Sequence, residues 1–111
     1  MNKKDLITIL YECVRTCNEC ADACLTEPNN MSECIRLDRV CASTCTALAE
    51  VLSTEFKEIS GLINFCFFVC QQCEKECSQN SMEHCKKCAE QCRKCAKACQ
   101  EYLQESMISQ Q

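Results

Sequence analysis

The chain has 111 residues, a net charge of −4, one glycine, one proline and no tryptophan, which predicts a single helical domain over residues 1–111. Its lysines and arginines alternate with acids and cysteines instead of gathering opposite aromatic side chains, which argues against nucleic-acid binding. No apolar run approaches the roughly 18 residues that a membrane span requires, and the N-terminus turns polar too soon for a signal peptide, so we expect a cytoplasmic protein.

The first two predicted helices cover residues 3–25 and 31–52, with Asn2 as a candidate N-cap and Pro28 between them. Cysteines recur at steps of three, four or seven, which places them on one face of each helix. The first helix carries Cys13, Cys17, Cys20 and Cys24, and the second carries Cys34, Cys41 and Cys45. Asp38 falls on the same face of the second helix, where another cysteine would continue the series.

The third and fourth predicted helices cover residues 54–78 and 81–107, and Ser53 or Thr54 caps the third. Gly61 lies inside the third pattern, where it either allows close helix contact or marks a local irregularity. The third helix carries Cys66, Cys70, Cys73 and Cys77, and the fourth carries Cys85, Cys88, Cys92, Cys95 and Cys99.

Short connections between these helices predict an all-α fold, an antiparallel up-down-up-down four-helix bundle with a cysteine-lined core. One end of this bundle collects His84, Met31 and Met82 beside the outermost thiols. The opposite end is expected to be an ordinary apolar core, built from residues that include Leu6, Leu10, Leu48, Leu52, Phe56, Ile63, Leu103 and Met107.

The 16 cysteines are better suited to metal binding than to disulfides. Helix neighbours have Cβ atoms about 5–6 Å apart, whereas a disulfide requires about 3.8 Å. Thiolates favour soft metals, but zinc prefers closed four-ligand sites and iron–sulfur clusters generally use irregular backbone. A Cu(I) ion that displaces one thiol proton leaves the core charge unchanged, which predicts about one ion per cysteine, on the order of 16 ions.

The repeated Cys-x-x-x-Cys and Cys-x-x-Cys steps, such as Cys13 to Cys17 and Cys85 to Cys88, give the whole chain a resemblance to the bacterial copper storage proteins. These are cysteine-lined four-helix bundles that load many Cu(I) ions, and the chain looks like their cytosolic branch. The resemblance implies copper storage and a homotetramer. It also implies that copper enters at a bundle end lined by His or Met, which would map onto His84, Met31 and Met82.

Several readings stay open at the level of sequence. His84 is either a metal ligand or a surface or capping residue, and Met31 and Met82 either donate to the metal or pack between loops. Asp38 either points inward, as an oxygen ligand or fixed charge, or rotates out to pair with an arginine. The alternatives to a copper store are a metallothionein-like zinc or cadmium buffer and a redox-responsive, disulfide-forming bundle. With one histidine and no catalytic set, an enzyme is not expected.

Overall fold

Four helices account for most of the residues that the structure describes. The computed structural model describes residues 1–109, with side chains described up to Ser106. The helices are α1 Lys3–Cys24, α2 Ser32–Leu52, α3 Ser60–Ser78 and α4 Glu83–Ser109. In the part of the chain described, none of them is long and apolar enough to cross a membrane.

The helices form a closed ring around one long core. α1 packs on α2 and α4, and α3 packs on the same two helices. Cys24 lies beside Cys34 while Cys13 lies beside Cys41, so α1 and α2 run in opposite directions. The body measures 52 × 21 × 19 Å. The predicted antiparallel up-down-up-down bundle is therefore confirmed, and its core is narrow enough for side chains from all four helices to meet on the axis.

The ends of α1 follow from local hydrogen bonds. The Asn2 side-chain oxygen accepts a bond of 2.7 Å from the backbone N–H of Asp5, which confirms the predicted N-cap. The acidic side chain of Asp5 in the first turn also complements the positive end of the helix dipole. The helix ends at Cys24, where the N–H of Leu25 bonds to the carbonyl of Asp22 at 3.1 Å.

The predicted start of helix 3 at residue 54 is wrong, because α3 begins at Ser60. Ser53 instead ends α2, with its N–H bonded to the carbonyl of Ala49 at 3.1 Å. The Thr54 hydroxyl accepts a bond of 3.1 Å from the N–H of Phe56, a local turn that competes with helix formation. The prediction that Phe56 belongs to the apolar core is wrong, because its side chain is 61% exposed in this connection.

Gly61 is the second residue of α3. A Cβ atom at this position would meet nothing within 4 Å, so close helix contact does not account for the glycine. It lies instead at the start of the helix, immediately after the irregular connection, part of which was predicted to be helical.

The bundle is closed at one end by aliphatic side chains, as predicted. Five of them are essentially inaccessible to solvent: Leu6, Leu10, Leu48, Leu52 and Ile63. Leu103 packs against them half-buried, while the side chain of Met107 lies outside the described residues. We call this the apolar end, and the opposite end, which carries His84, the histidine end.

Candidate metal centre

Sulfur fills the centre of the bundle along most of its length. All sixteen cysteines are buried free thiols, each at most 2% exposed. The steps of three, four or seven along each helix bring every thiol to the axis, because such steps keep side chains on one helix face. We call this set the thiol core: Cys13, Cys17, Cys20, Cys24, Cys34, Cys41, Cys45, Cys66, Cys70, Cys73, Cys77, Cys85, Cys88, Cys92, Cys95 and Cys99.

Neighbouring sulfur atoms in the thiol core lie at separations that suit bridging by a metal ion. Within one helix, Cys13 and Cys17 are 4.0 Å apart, as are Cys20 and Cys24. Between helices the separations are similar, for example 3.6 Å from Cys34 to Cys77. A disulfide requires about 2.05 Å, whereas two Cu(I)–S bonds can span the observed gap.

Most of the thiols belong to groups of four. Within each group all four sulfur atoms lie within 4.8 Å of one another. Five of these groups follow one another from the histidine end towards the apolar end: Cys20, Cys24, Cys34 and Cys85; Cys17, Cys73, Cys88 and Cys92; Cys13, Cys17, Cys41 and Cys92; Cys13, Cys41, Cys45 and Cys70; and Cys45, Cys66, Cys70 and Cys95. The first group shares no thiol with the second, whereas each later group shares two thiols with the next, so one thiolate there can serve two sites.

Asp38 points into the thiol core and not out to an arginine. Its side chain is fully buried, and its Oδ1 accepts from the thiols of Cys88 at 3.1 Å and Cys73 at 3.3 Å. Burial, together with the nearby sulfur atoms of Cys88 and Cys73, raises the pKa of this carboxyl to about 10. The group is therefore a neutral acid at pH 7, placed where it can offer an oxygen to a metal bound at the adjacent thiols.

His84 also turns towards the thiols, although its position lies off the cysteine face of α4. Its Nδ1 lies 3.5 Å from the sulfur of Cys85, 3.6 Å from that of Cys20 and 3.9 Å from that of Cys24. The imidazole thus borders the outermost group of four thiols. An imidazole nitrogen at this position can act as a further soft-metal ligand.

Met31 and Met82 lie at the same end but are not equivalent. Met31 is buried against the thiol core, and its sulfur accepts a bond of 3.3 Å from the Asn29 side-chain amide. Met82 is only partly buried and packs against the same core. The structure therefore brings both thioethers to the histidine end, with Met31 held by the α1–α2 connection.

Cys24 and Cys85, two thiols at the histidine end, favour the neutral form. Burial raises the pKa of the Cys24 thiol, and it raises that of the Cys85 thiol to about 11. Among the residues with described side chains, the buried polar or charged ones are Asp38 and Thr44, so that part of the chain supplies no buried cation to balance thiolates. Any charge compensation must come from what the core binds.

Sequence reasoning missed Glu27. Its carboxylate oxygen lies 2.9 Å from His84 Nε2, yet the two residues are 57 positions apart and Glu27 belongs to the α1–α2 connection. Periodicity carries no information about such a contact, because a connection has no repeating face. The one indication available from the sequence was the predicted antiparallel arrangement, which places residues 24–34 at the same end of the bundle as the start of the fourth helix.

Comparison with known proteins gives a family match over almost the whole chain. The family model described as copper storage protein (Csp) matches residues 1–104. The uncharacterized cysteine-rich protein YhjQ of Bacillus subtilis (strain 168) is 34% identical over 73 residues, which covers 64% of this chain and 68% of that protein.

Solved structures of similar proteins share the fold. The copper storage protein Ccsp of Streptomyces lividans, loaded with 10 copper equivalents, is 41% identical, with a TM-score of 0.88 over 91% of this chain and 83% of that one. A five-copper structure from the same organism, with a TM-score of 0.88 over 91% of each chain and 41% identity, is described as a cytosolic copper storage protein. The Cu(I)-bound copper storage protein BsCsp3 is 31% identical, with a TM-score of 0.86 over 91% of this chain and 97% of that one.

Proposed function

Because the chain belongs to the copper storage protein family, we propose that it sequesters many Cu(I) ions in its thiol core and catalyses no reaction. The observation that carries the proposal is the series of four-thiol groups along the bundle axis, four of which overlap with a neighbour. Cu(I) accepts two or three thiolates, and a sulfur shared between groups can bridge two ions. The expected capacity is about one ion per cysteine, on the order of 16 ions.

Charge balance supports a monovalent cargo. A Cu⁺ ion that binds the sulfur of a neutral thiol releases one proton, so the S–H bond is replaced by an S–Cu bond at no net charge. A divalent ion at one per thiol would leave a large excess of positive charge in the core, at a high desolvation cost. Zinc, which takes four ligands in a closed tetrahedral site, would stop near one ion per four thiols.

The residues at the histidine end have separate roles in this proposal. The His84 Nδ1 takes Cu(I) first and passes it to Cys20, Cys24 and Cys85, because the aliphatic side chains of the apolar end close the other route. Met31 and Met82 act as auxiliary thioether donors there. Deeper in the bundle, the Asp38 carboxyl contributes an oxygen to a site shared with neighbouring thiolates.

We also propose that the protein works in the cytoplasm as a homotetramer, without nucleic acid or membrane partners. The similar protein of Streptomyces lividans is described as cytosolic. On the outer face of α3, the side chains of Phe65 and Phe68 are 52% and 54% exposed. They lie three positions apart, on one helix face, and apolar patches of this kind support contacts between copies. Sedimentation of the copper-loaded protein tests the assembly.

Paired anaerobic titrations test the storage function. The reduced protein is titrated with Cu(I) and, separately, with Zn(II), and the bound metal is counted after removal of excess. The proposal predicts saturation near one Cu(I) per thiol and far fewer zinc ions. Equal, low ratios for both metals would favour a zinc or cadmium buffer. A majority of cysteines in disulfides, found by thiol counting on freshly isolated protein, would favour a redox-responsive bundle.

A further inference from the structure

Glu27 contacts His84, the residue that takes Cu(I) first in the proposed function. We propose that Glu27 is a positioning residue, which fixes the His84 imidazole in the tautomer that offers an unprotonated Nδ1 to incoming Cu(I). The inference rests on the proposed storage function and assigns a loading role to a residue outside the thiol core.

The two imidazole nitrogens face different partners. Nε2 lies 2.9 Å from Glu27 Oε1, and an ionised carboxylate can only accept a hydrogen bond. The proton of the neutral imidazole therefore resides on Nε2. Nδ1 is left with its lone pair directed at the sulfurs of Cys85 and Cys20, 3.5 and 3.6 Å away. In many metal sites a carboxylate accepts a hydrogen bond from one nitrogen of a histidine whose other nitrogen binds the metal, and this bond orients the ring. Glu27, His84 and the outermost thiols lie in the same order.

Glu27 is itself held in place by the segment that carries the outermost thiols. Its backbone N–H bonds to the carbonyl of Cys24 at 3.3 Å, and Pro28 restricts the backbone of the preceding residue. The side chains of Glu27 and His84 are only 26% and 22% exposed, so their hydrogen bond is partly protected from water. The carboxylate thus moves with α1, which also supplies Cys20 and Cys24 to the site.

Other acids near the histidine end do not share this geometry. Glu33 is exposed and pairs with Arg36 at 2.7 Å. Glu83 is exposed and directly precedes His84. Glu83→Ala therefore removes the same charge from the same end and serves as the matched control for Glu27→Ala.

The first readout is the tautomer itself, measured without copper. His84 is the only histidine in the chain, so its two ring nitrogens can be assigned directly in two-bond ¹H–¹⁵N spectra recorded where the imidazole is neutral. We expect the Nε2–H tautomer in the wild type, in Glu83→Ala and in Glu27→Gln, whose amide oxygen still accepts. Glu27→Ala should give a mixture of tautomers. An unchanged tautomer in Glu27→Ala would overturn the proposal.

The second readout is the rate at which the reduced protein takes Cu(I) from a chelator complex. We expect Glu27→Ala to slow the first equivalents about tenfold, and Glu83→Ala to stay within about twofold of the wild type. In a His84→Ala background, Glu27→Ala should have no further effect, because it acts through the imidazole. An equal slowing in that background would contradict the positioning role. Failure of the wild type to bind many Cu(I) ions would instead refute the storage function, and the copper-free tautomer measurement distinguishes these two outcomes.

Discussion

Asp38 introduces one carboxyl group into a column of sulfur atoms. The group is held by S–H donors from Cys88 and Cys73, and its pKa in the folded protein is about 10, against about 3.9 for an unfolded aspartate. Between these values the folded protein holds a proton that the unfolded chain has released. Its free energy of unfolding should therefore fall as the pH rises from about 4 to about 10.

Replacement of Asp38 by asparagine should remove this pH dependence. We expect the wild type to lose up to about 1.4 kcal/mol of unfolding free energy per pH unit relative to Asp38→Asn. Urea unfolding of the reduced, copper-free proteins between about pH 5.5 and 7.5 measures this, below the range in which unfolded thiols ionise. Parallel curves for the two proteins would mean that the carboxyl is already ionised in the folded state.

The residues of this site differ in how well sequence predicts them. Cysteine positions are predictable because steps of three, four or seven keep side chains on one helix face, and the cysteines of every helix follow such steps. Asp38 lies on such a face, but periodicity alone does not decide whether a charged side chain is protonated and turned inward. His84 lies off the face, and its ring contacts Glu27. Glu27 belongs to a connection between helices, for which periodicity makes no prediction.

At the scale of the helices, the thiol section of the bundle differs from the apolar end in what it contributes to stability. Thiols are small and weakly hydrophobic, so the aliphatic side chains of the apolar end supply the largest buried apolar groups of the copper-free bundle. The start of α3 lies at this end. The sequence did not predict a helix start at Ser60, because Phe56 and Ile59 fit a helical pattern. In the structure, the Thr54 hydroxyl forms a local turn with Phe56 instead.

Two leucine variants test this division of roles. Leu48 is fully buried at the apolar end, so Leu48→Ala should lower the unfolding free energy of the copper-free protein by about 2–5 kcal/mol. Leu25 is 69% exposed, and Leu25→Ala should change stability by no more than about 0.5 kcal/mol. Copper capacity should stay the same in both. Equal stability losses, or a lower copper count in Leu48→Ala, would contradict the separation.

At the scale of the whole molecule, the bundle has two unlike ends joined by one chain of thiols. Aliphatic packing closes one end, while His84 borders the outermost thiols at the other. Under the proposed function, copper would enter at the histidine end and would be held away from water in the thiol core. Because each bound Cu⁺ replaces one thiol proton, filling should leave the net charge of the core unchanged. The core therefore gains no buried charge that would carry a desolvation cost.

Simultaneous counting of copper and protons tests this account most directly. In an anaerobic titration of the reduced protein in weakly buffered solution, bound Cu(I) and released protons are recorded together. We predict saturation on the order of 16 ions, with about one proton released per ion throughout. Saturation near four ions, or a release of several protons for each ion bound, would contradict a store in which thiolates bridge monovalent copper along the bundle axis.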